Sequence, residues 1–136
     1  LLLEAVEKIE AGKINPVAQD DSKVVYAPML KKEHGRIDWA KPAREIRDLA
    51  RGMTPWPGAA ASLAGKELKV LASTVALESG RAGEPGAVVA VDRAGISVAC
   101  GAGVLRLTRL QPEGGKAMDA WAYAQGRRLA GGERLS

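Results

Sequence analysis

Few side chains in this sequence could do acid–base or nucleophilic chemistry. Its 136 residues include one histidine, His34, and one cysteine, Cys100. His34 lies in a polar run and has no evident partner to hold it as a general base, so we interpret it as a solvated turn residue. Cys100 lies in an alternating apolar run, which is typical of a small core residue. One cysteine and one histidine cannot form a zinc site, so neither catalysis nor metal binding is expected of these residues.

Basic side chains offer a different chemistry, the binding of phosphate oxygens. The formal net charge is +4, and the excess lies downstream: residues 1–39 hold six Lys/Arg against seven Asp/Glu, and residues 40–136 hold fourteen against nine. Ten of those fourteen are arginines, whose planar fork suits phosphate. An ordinary solubilising surface would also explain this charge.

The clearest predicted element is a helix over 42–52, with proline at its start and glycine at its end. At 100° per residue its arginines fall within about 60° of each other on the side opposite the apolar stripe. This predicts a basic ridge of Arg44, Arg47 and Arg51, with Asp48 beside it. The stripe comprises Ile46, Leu49, Ala50 and Met53.

After residue 58 the hydrophobic pattern changes to a period of two, which predicts antiparallel strands joined by glycine-bearing turns. Leu110 breaks the alternation, which indicates a bulge or bend. We expect a mainly β fold, a small antiparallel barrel with flanking helices, the last helix running from about Met118 to Gln125. The predicted strands are Ala60–Leu63, Lys66–Val75, Ala87–Val91, Gly95–Cys100 and Val104–Leu110.

The first 34 residues have a different organisation. Residues 1–12 carry apolar residues at helical spacing with glycine at the end, and we expect the last helix of a missing domain. Residues 13–34 lack sustained periodicity and predict a linker with one short extended run. Residues 35–136 are then the barrel domain. No run reaches the roughly 18 apolar residues of a membrane span, and the cytoplasm is the expected location.

The aromatic residues limit the kind of RNA that this chain could bind. Phenylalanine is absent, and no aromatic residue lies in a predicted strand, so base stacking along a sheet is not supported. Phosphate contacts to a folded RNA remain possible. We interpret Trp39 and Trp56 as packing anchors. The other aromatic residues are Trp121, Tyr26 and Tyr123.

Four separated runs occur in the same order as in the C-terminal domain of bacterial methionyl-tRNA formyltransferase: residues 32–39, 55–58, 110–114 and 126–129. The chain resembles that family over about residues 26–135, although His34 replaces an acidic residue common in the family's turn. The resemblance implies a parent enzyme that transfers a formyl group from 10-formyltetrahydrofolate to the amino group of methionyl initiator tRNA. It also implies that the barrel is OB-like and that a Rossmann-like catalytic domain acts in cis, with residues 1–12 as its last helix. The catalytic motifs of that domain are not found here. The fragment alone is therefore expected to be inactive and to hold no cofactor and no metal.

The resemblance further implies that the linker and the basic face of the barrel bind the body of the tRNA. By resemblance the linker contacts would be Lys31, Lys32 and Arg36. The pattern of charges adds further candidates: Arg44, Arg47, Arg51, Lys66, Lys69, Arg106, Arg109, Lys116, Arg127 and Arg128.

Two alternatives stay open. The chain could be the equivalent domain of another folate-dependent formyltransferase, such as one acting on a sugar nucleotide, although residues 111–114 and 126–129 favour the tRNA enzyme. It could also be a free-standing barrel that serves as a protein-interaction module. The unpartnered helix at residues 1–12 argues against that module.

Overall fold

A computed structural model describes residues 1–136 and contains three α-helices and six strands. None of its helices combines the length and the apolar character needed to cross a membrane. The helices are α1 (Leu2–Glu10), α2 (Ala43–Gly52) and α3 (Ala120–Arg127), and single 3-10 turns span Asp21–Lys23 and Lys32–Gly35. The strands are β1 (Ala59–Leu63), β2 (Lys66–Leu77), β3 (Val88–Asp92), β4 (Gly95–Ala99), β5 (Val104–Pro112) and β6 (Met118–Asp119).

The strands form one antiparallel sheet in the order β1-β2-β5-β4-β3, and the short β6 pairs with β5. All five predicted strands are confirmed to within two residues at each end, because alternation of apolar and polar residues is a local signal. The mainly β fold with flanking helices is confirmed as well.

The sheet is open, since its edge strands β1 and β3 do not pair with each other. The C-terminal segment, residues 132–136, instead hydrogen-bonds to both edges. Ser136 and Ser62 on β1 exchange backbone hydrogen bonds of 2.6 and 2.9 Å, while the Leu135 N–H donates to the Gly86 carbonyl and the Val88 N–H donates to the Glu133 carbonyl, both at 2.8 Å. The predicted barrel is therefore not closed by pairing of its edge strands; the C-terminal segment lies between the two edges instead.

The predicted irregularity near Leu110 is confirmed. Ala72 pairs with Arg109 and the next residue, Ser73, pairs with Leu107, so Thr108 has no paired residue on β2. This extra residue shifts the phase of β5 and lets both Leu107 and Leu110 point into the core, where each is fully buried. The glycine-bearing segment 101–103 forms the predicted turn between β4 and β5.

The core lies between the inner face of the sheet and one side of α2, where Ile46 and Ala50 are buried. Cys100 is fully buried, as predicted, and burial raises the pKa of its thiol to about 11.

Helix α3 differs from its prediction at both ends. It begins two residues later, at Ala120, because Met118 and Asp119 pair with β5 and the Asp119 carboxylate accepts hydrogen bonds from the Trp121 and Ala122 N–H groups. It continues through Gly126 to Arg127 and ends at Arg128, which has a left-handed conformation.

Residues 1–34 add nothing to this core. No residue of α1 is buried, and its apolar side chains Leu2, Val6 and Ile9 are exposed. Apart from the two 3-10 turns, residues 13–34 have no regular structure and are exposed throughout. The first buried residue along the chain is Gly35.

Candidate functional site

The predicted linker, residues 13–34, is followed by a tight contact between Gly35 and Gly58. A side chain at residue 35 would overlap the carbonyl oxygen of Gly58, so only glycine permits this approach. Two residues later the Ile37 N–H donates to the Ala60 carbonyl at 2.9 Å. The predicted linker cations Lys31, Lys32 and Arg36 are therefore held beside the edge of β1.

Within this junction His34 has the role of a turn residue, as predicted. It is exposed and lies in the 3-10 turn over 32–35, and its Nδ1 accepts a hydrogen bond of 3.2 Å from the Lys31 N–H. This contact tightens the turn from which the linker cations project.

Arg36 begins a row of residues that crosses the outer face of the sheet. Arg36 is paired with Ala60, Ala60 with Lys69 and Lys69 with Gln111. Paired residues share a face, and strands lie about 4.8 Å apart, so the backbones of Arg36 and Lys69 are separated by roughly 10 Å. Arg109 lies two residues from Gln111 on β5 and is also exposed. The register thus places Arg36, Lys69 and Arg109 on one face.

The hairpin between β1 and β2 borders the same region. Lys32 and Arg36 line a cleft of about 470 Å³ together with Gly65 at the hairpin tip. Lys66 follows that tip directly and is exposed. The cleft also contains acidic residues, so its charge is mixed: Glu33, Glu67 and Glu113.

The basic ridge of α2 is formed as predicted, but its arginines differ in their partners. Arg47 donates to Asp48 Oδ1 from Nε at 2.9 Å and from Nη2 at 2.7 Å. Arg51 approaches the same oxygen at 3.8 Å. Arg44 is exposed and has no carboxylate within 4.0 Å. Asp48 therefore offsets part of the charge of this ridge, and Arg44 is its free member.

A second cleft, of about 350 Å³, lies between the linker and α2. Arg36 and Asp48 of α2 both line it, so Arg36 lies beside α2, but none of the three ridge arginines lines this cleft. Lys41 also lines this cleft, with Glu45 at 3.9 Å. Lys41 was not predicted as a candidate; it lies before Pro42, the N-cap residue of α2, and so outside the helical spacing that identified the ridge.

The remaining candidates lie elsewhere on the domain. Arg106 is held by Ser97 Oγ at 3.3 Å and by Asp92 at 3.6 Å. Arg127 donates to the Tyr123 hydroxyl at 3.2 Å, and Arg128 ends α3. Lys116 lies in the loop between β5 and β6. Neither cleft includes any of these four residues.

The unpaired cations outnumber the paired ones among the thirteen candidates. Lys31, Arg47, Arg51 and Arg106 have a carboxylate within 4.0 Å. The other nine have none, which leaves their charge available to an external anion. These nine are Lys32, Arg36, Arg44, Lys66, Lys69, Arg109, Lys116, Arg127 and Arg128.

The two tryptophans predicted to be packing anchors have different environments. Trp39 is only 4% exposed, as expected. The prediction for Trp56 is wrong, since its side chain is 55% exposed. Pro57 and Gly58 are buried in its place, because the chain enters β1 there and Gly58 contacts Gly35.

Comparison with known proteins relates this chain to formyl transferases. Residues 29–128 match the family described as formyl transferase, C-terminal domain. The chain is 47% identical over 135 residues to the methionyl-tRNA formyltransferase of Trichlorobacter lovleyi, covering 99% of this chain and 42% of that protein. It is 46% identical over 132 residues to the enzyme of that name from Geobacter metallireducens, covering 97% and 42%. The chain thus spans less than half the length of these relatives.

Solved structures show a similar fold. HypX from Aquifex aeolicus in complex with tetrahydrofolic acid matches with a TM-score of 0.63 and 21% identity, over 90% of this chain and 22% of that one. A HypX variant carrying six substitutions matches with a TM-score of 0.66 and 23% identity, over 94% of this chain and 22% of that one. At this level of identity the likeness concerns the fold alone.

Proposed function

Because the chain belongs to the formyl transferase C-terminal domain family, we propose that it is the tRNA-binding part of a methionyl-tRNA formyltransferase. The parent enzyme would transfer a formyl group from 10-formyltetrahydrofolate to the amino group of methionyl initiator tRNA, in the cytoplasm. Two relatives that cover nearly the whole chain carry that enzyme's name. No residue of this chain is assigned to the folate or to the reacting atoms.

The proposal divides the chain into three parts. Residues 1–12 would be the terminal helix of the catalytic domain, residues 13–34 the linker, and residues 35–136 the RNA-binding domain. The exposed apolar side of α1 supports this division, since such a stripe normally packs against another element. In the longer relatives, the catalytic domain would be the element that packs against this apolar stripe.

The observation that carries the proposal is the row from the linker across the sheet. Arg36, Lys69 and Arg109 share an outer face, and none has a carboxylate within 4.0 Å. Cations without internal partners can neutralise phosphates without first breaking an ion pair. Arg36 can also bind a phosphate through two N–H groups. Because α2 packs on the inner face of the sheet, its basic ridge is a second group of cations rather than part of this row.

Such contacts would act on binding and orientation. A phosphate contact that is equally strong in the ground state and in the transition state lowers the effective dissociation constant of the tRNA without changing the chemical step. The same contacts would orient the aminoacyl end towards the catalytic domain. In the full-length enzyme, loss of Arg36 or Lys69 is therefore expected to raise KM more than it lowers kcat.

The direct test is a mobility-shift titration of tRNA with the 136-residue chain at several salt concentrations. The double variant Arg36→Ala/Lys69→Ala should bind more weakly, and its log-affinity against log-salt slope should be flatter by roughly 0.7–0.9 for each lost contact. The double variant Arg81→Ala/Arg93→Ala removes the same charge outside the candidate residues and should leave the slope unchanged. If both double variants lose the same amount of tRNA affinity, binding depends on the total charge and not on this surface, which would contradict the proposal.

A further inference from the structure

The proline–tryptophan loop, residues 54–58, displays the single exposed aromatic ring of residues 35–136. Trp56 is 55% exposed, whereas Trp39 and Tyr123 are 4% and 7% exposed, and Trp121 is partly buried. Aromatic side chains of this size usually supply much of the contact area in a core or an interface. The exposure of Trp56 therefore indicates a surface that lacks its contact in the isolated chain.

The loop is fastened on both sides of the ring, so this exposure does not come from a frayed segment. The Gly58 N–H donates to the Met53 carbonyl at 2.8 Å, and the Thr54 hydroxyl donates to the Ala50 carbonyl at 2.8 Å. Pro57 and Gly58, at the end of the loop, are buried. A ring held in this way loses little conformational freedom when it binds a ligand.

Three elements that carry cations meet at this loop. Its start is bonded to α2, where the Thr54 N–H donates to the Arg51 carbonyl at 3.4 Å. Its end lies under the Lys69 side chain, whose Cδ would be 3.6 Å from a Cβ at Gly58. The linker turn 32–35 packs against it through the contact of Gly35 with Pro57 and Gly58.

The loop itself contains no acidic residue. Protein–protein interfaces are depleted of lysine, such as the Lys69 beside this loop, whereas binding sites for unpaired nucleotides combine cations with exposed aromatic rings. The surroundings of Trp56 resemble the second arrangement.

We propose that Trp56 stacks on an unpaired base of the bound RNA while the neighbouring lysines and arginines hold the phosphates. The inference rests on the proposed function and adds a contact that is not ionic. Every base has a π-face, so one stacked ring contributes affinity with little sequence preference. A single ring on a loop also differs from the stacking platform along a sheet, which the sequence does not support.

The experiment compares Trp56→Ala, Trp56→Phe and Lys69→Ala in the 136-residue chain, with tRNA as the probe between 50 and 200 mM salt. Trp56→Ala should weaken binding by about 5- to 150-fold at each salt concentration and leave the salt slope unchanged, because stacking releases no counterions. Trp56→Phe should retain most of the affinity. Lys69→Ala should instead flatten the slope by roughly 0.7–0.9.

Fluorescence gives an independent readout, since Trp56 is the most exposed of three tryptophans. Addition of tRNA should quench the emission of the wild-type chain, and most of this quenching should be absent in Trp56→Phe. Thermal unfolding of each variant verifies that the domain is intact, which is expected because Trp56 lies outside the core.

The outcomes separate this inference from the proposed function. If Trp56→Ala binds tRNA like the wild type while Lys69→Ala binds more weakly, the stacking inference is overturned and the proposed function stands. The ring would then be an anchor for a protein surface. If Trp56→Ala flattens the salt slope as much as Lys69→Ala does, the loop only positions cations, and the inference is again overturned. If the wild-type chain shows no salt-dependent tRNA binding, both proposals fall.

Discussion

Asp48 holds two of the three arginines of the α2 ridge, and its replacement by asparagine should strengthen tRNA binding. Its Oδ1 accepts from Arg47 at 2.7 Å and lies 3.8 Å from Arg51. In the wild type these contacts compete with any phosphate that approaches the ridge. Asp48→Asn removes the competing charge and keeps the size of the side chain.

The magnitude follows from the exposure and geometry of the two ion pairs. The side chains of Arg51 and Asp48 are 77% and 51% exposed, and that of Arg47 is 27% exposed. Ion pairs at such surfaces contribute about 0.2–1 kcal/mol each. The Arg47 pair, with two donors to one oxygen, belongs near the upper value and the Arg51 pair near the lower. A total of about 1 kcal/mol corresponds to roughly a fivefold gain in affinity.

The assay is a titration of tRNA with wild type and Asp48→Asn at several salt concentrations. The salt slope should become steeper by roughly 0.7–0.9 for each arginine that gains a phosphate contact. The matched control is Glu84→Gln, which frees Arg81 from an ion pair of the same 2.7 Å length outside the candidate residues. Unchanged affinity in Asp48→Asn, or an equal gain in Glu84→Gln, would refute the assignment of the ridge to RNA binding.

Three further predictions concern the fold that positions these residues. Gly35→Ala should lower the melting temperature by at least about 5 °C, since the added methyl overlaps Gly58. The control Gly52→Ala, whose added methyl meets nothing within 4 Å, should not lower it. Equal melting temperatures of the two variants would refute the tight junction. Leu135→Ala should cost about 2–5 kcal/mol of unfolding free energy in urea titrations because the side chain is 2% exposed in the core. Leu77→Ala, at a residue 48% exposed, should cost far less, and an equal loss would show that the tail is not part of the core. The Cys100 pKa rises from 9.0 to about 11 on folding, so its contribution to stability is complete below pH 9 and is lost as the pH rises towards 11. Urea unfolding across this range should therefore show a steeper loss of stability in the wild type than in Cys100→Ala, and parallel losses would contradict the burial of the thiol.

The strands and the ridge of α2 could be predicted because their signals are local. A period of two identified all five long strands, and helical spacing placed Arg44, Arg47 and Arg51 together with Asp48 beside them. The same local reasoning explains the buried Cys100 and the bulge near Leu110, since each depends on the phase of alternation within one strand.

What the sequence did not reveal depends on contacts between distant residues. Residues 132–136 show no alternation of apolar and polar residues, yet their backbone groups form hydrogen bonds with Ser62 and Val88. Those two residues are distant in the sequence and come close to the tail only when the sheet forms. The exposure of Trp56 likewise depends on how the loop joins α2 to β1, where Pro57 and Gly58 are buried and Gly58 contacts Gly35. Side-chain geometry decided that Asp48 holds Arg47 and leaves Arg44 free.

Hydrogen–deuterium exchange of the chain with and without tRNA tests the location of the proposed RNA surface most directly. Bound tRNA should slow exchange at residues 31–36, 44–58 and 66–69, and it should leave the β3–β4 turn at residues 92–95 unchanged. Protection confined to the β3–β4 turn, or no protection in the presence of saturating tRNA, would contradict the assignment of the linker, α2 and β2 cations to RNA binding.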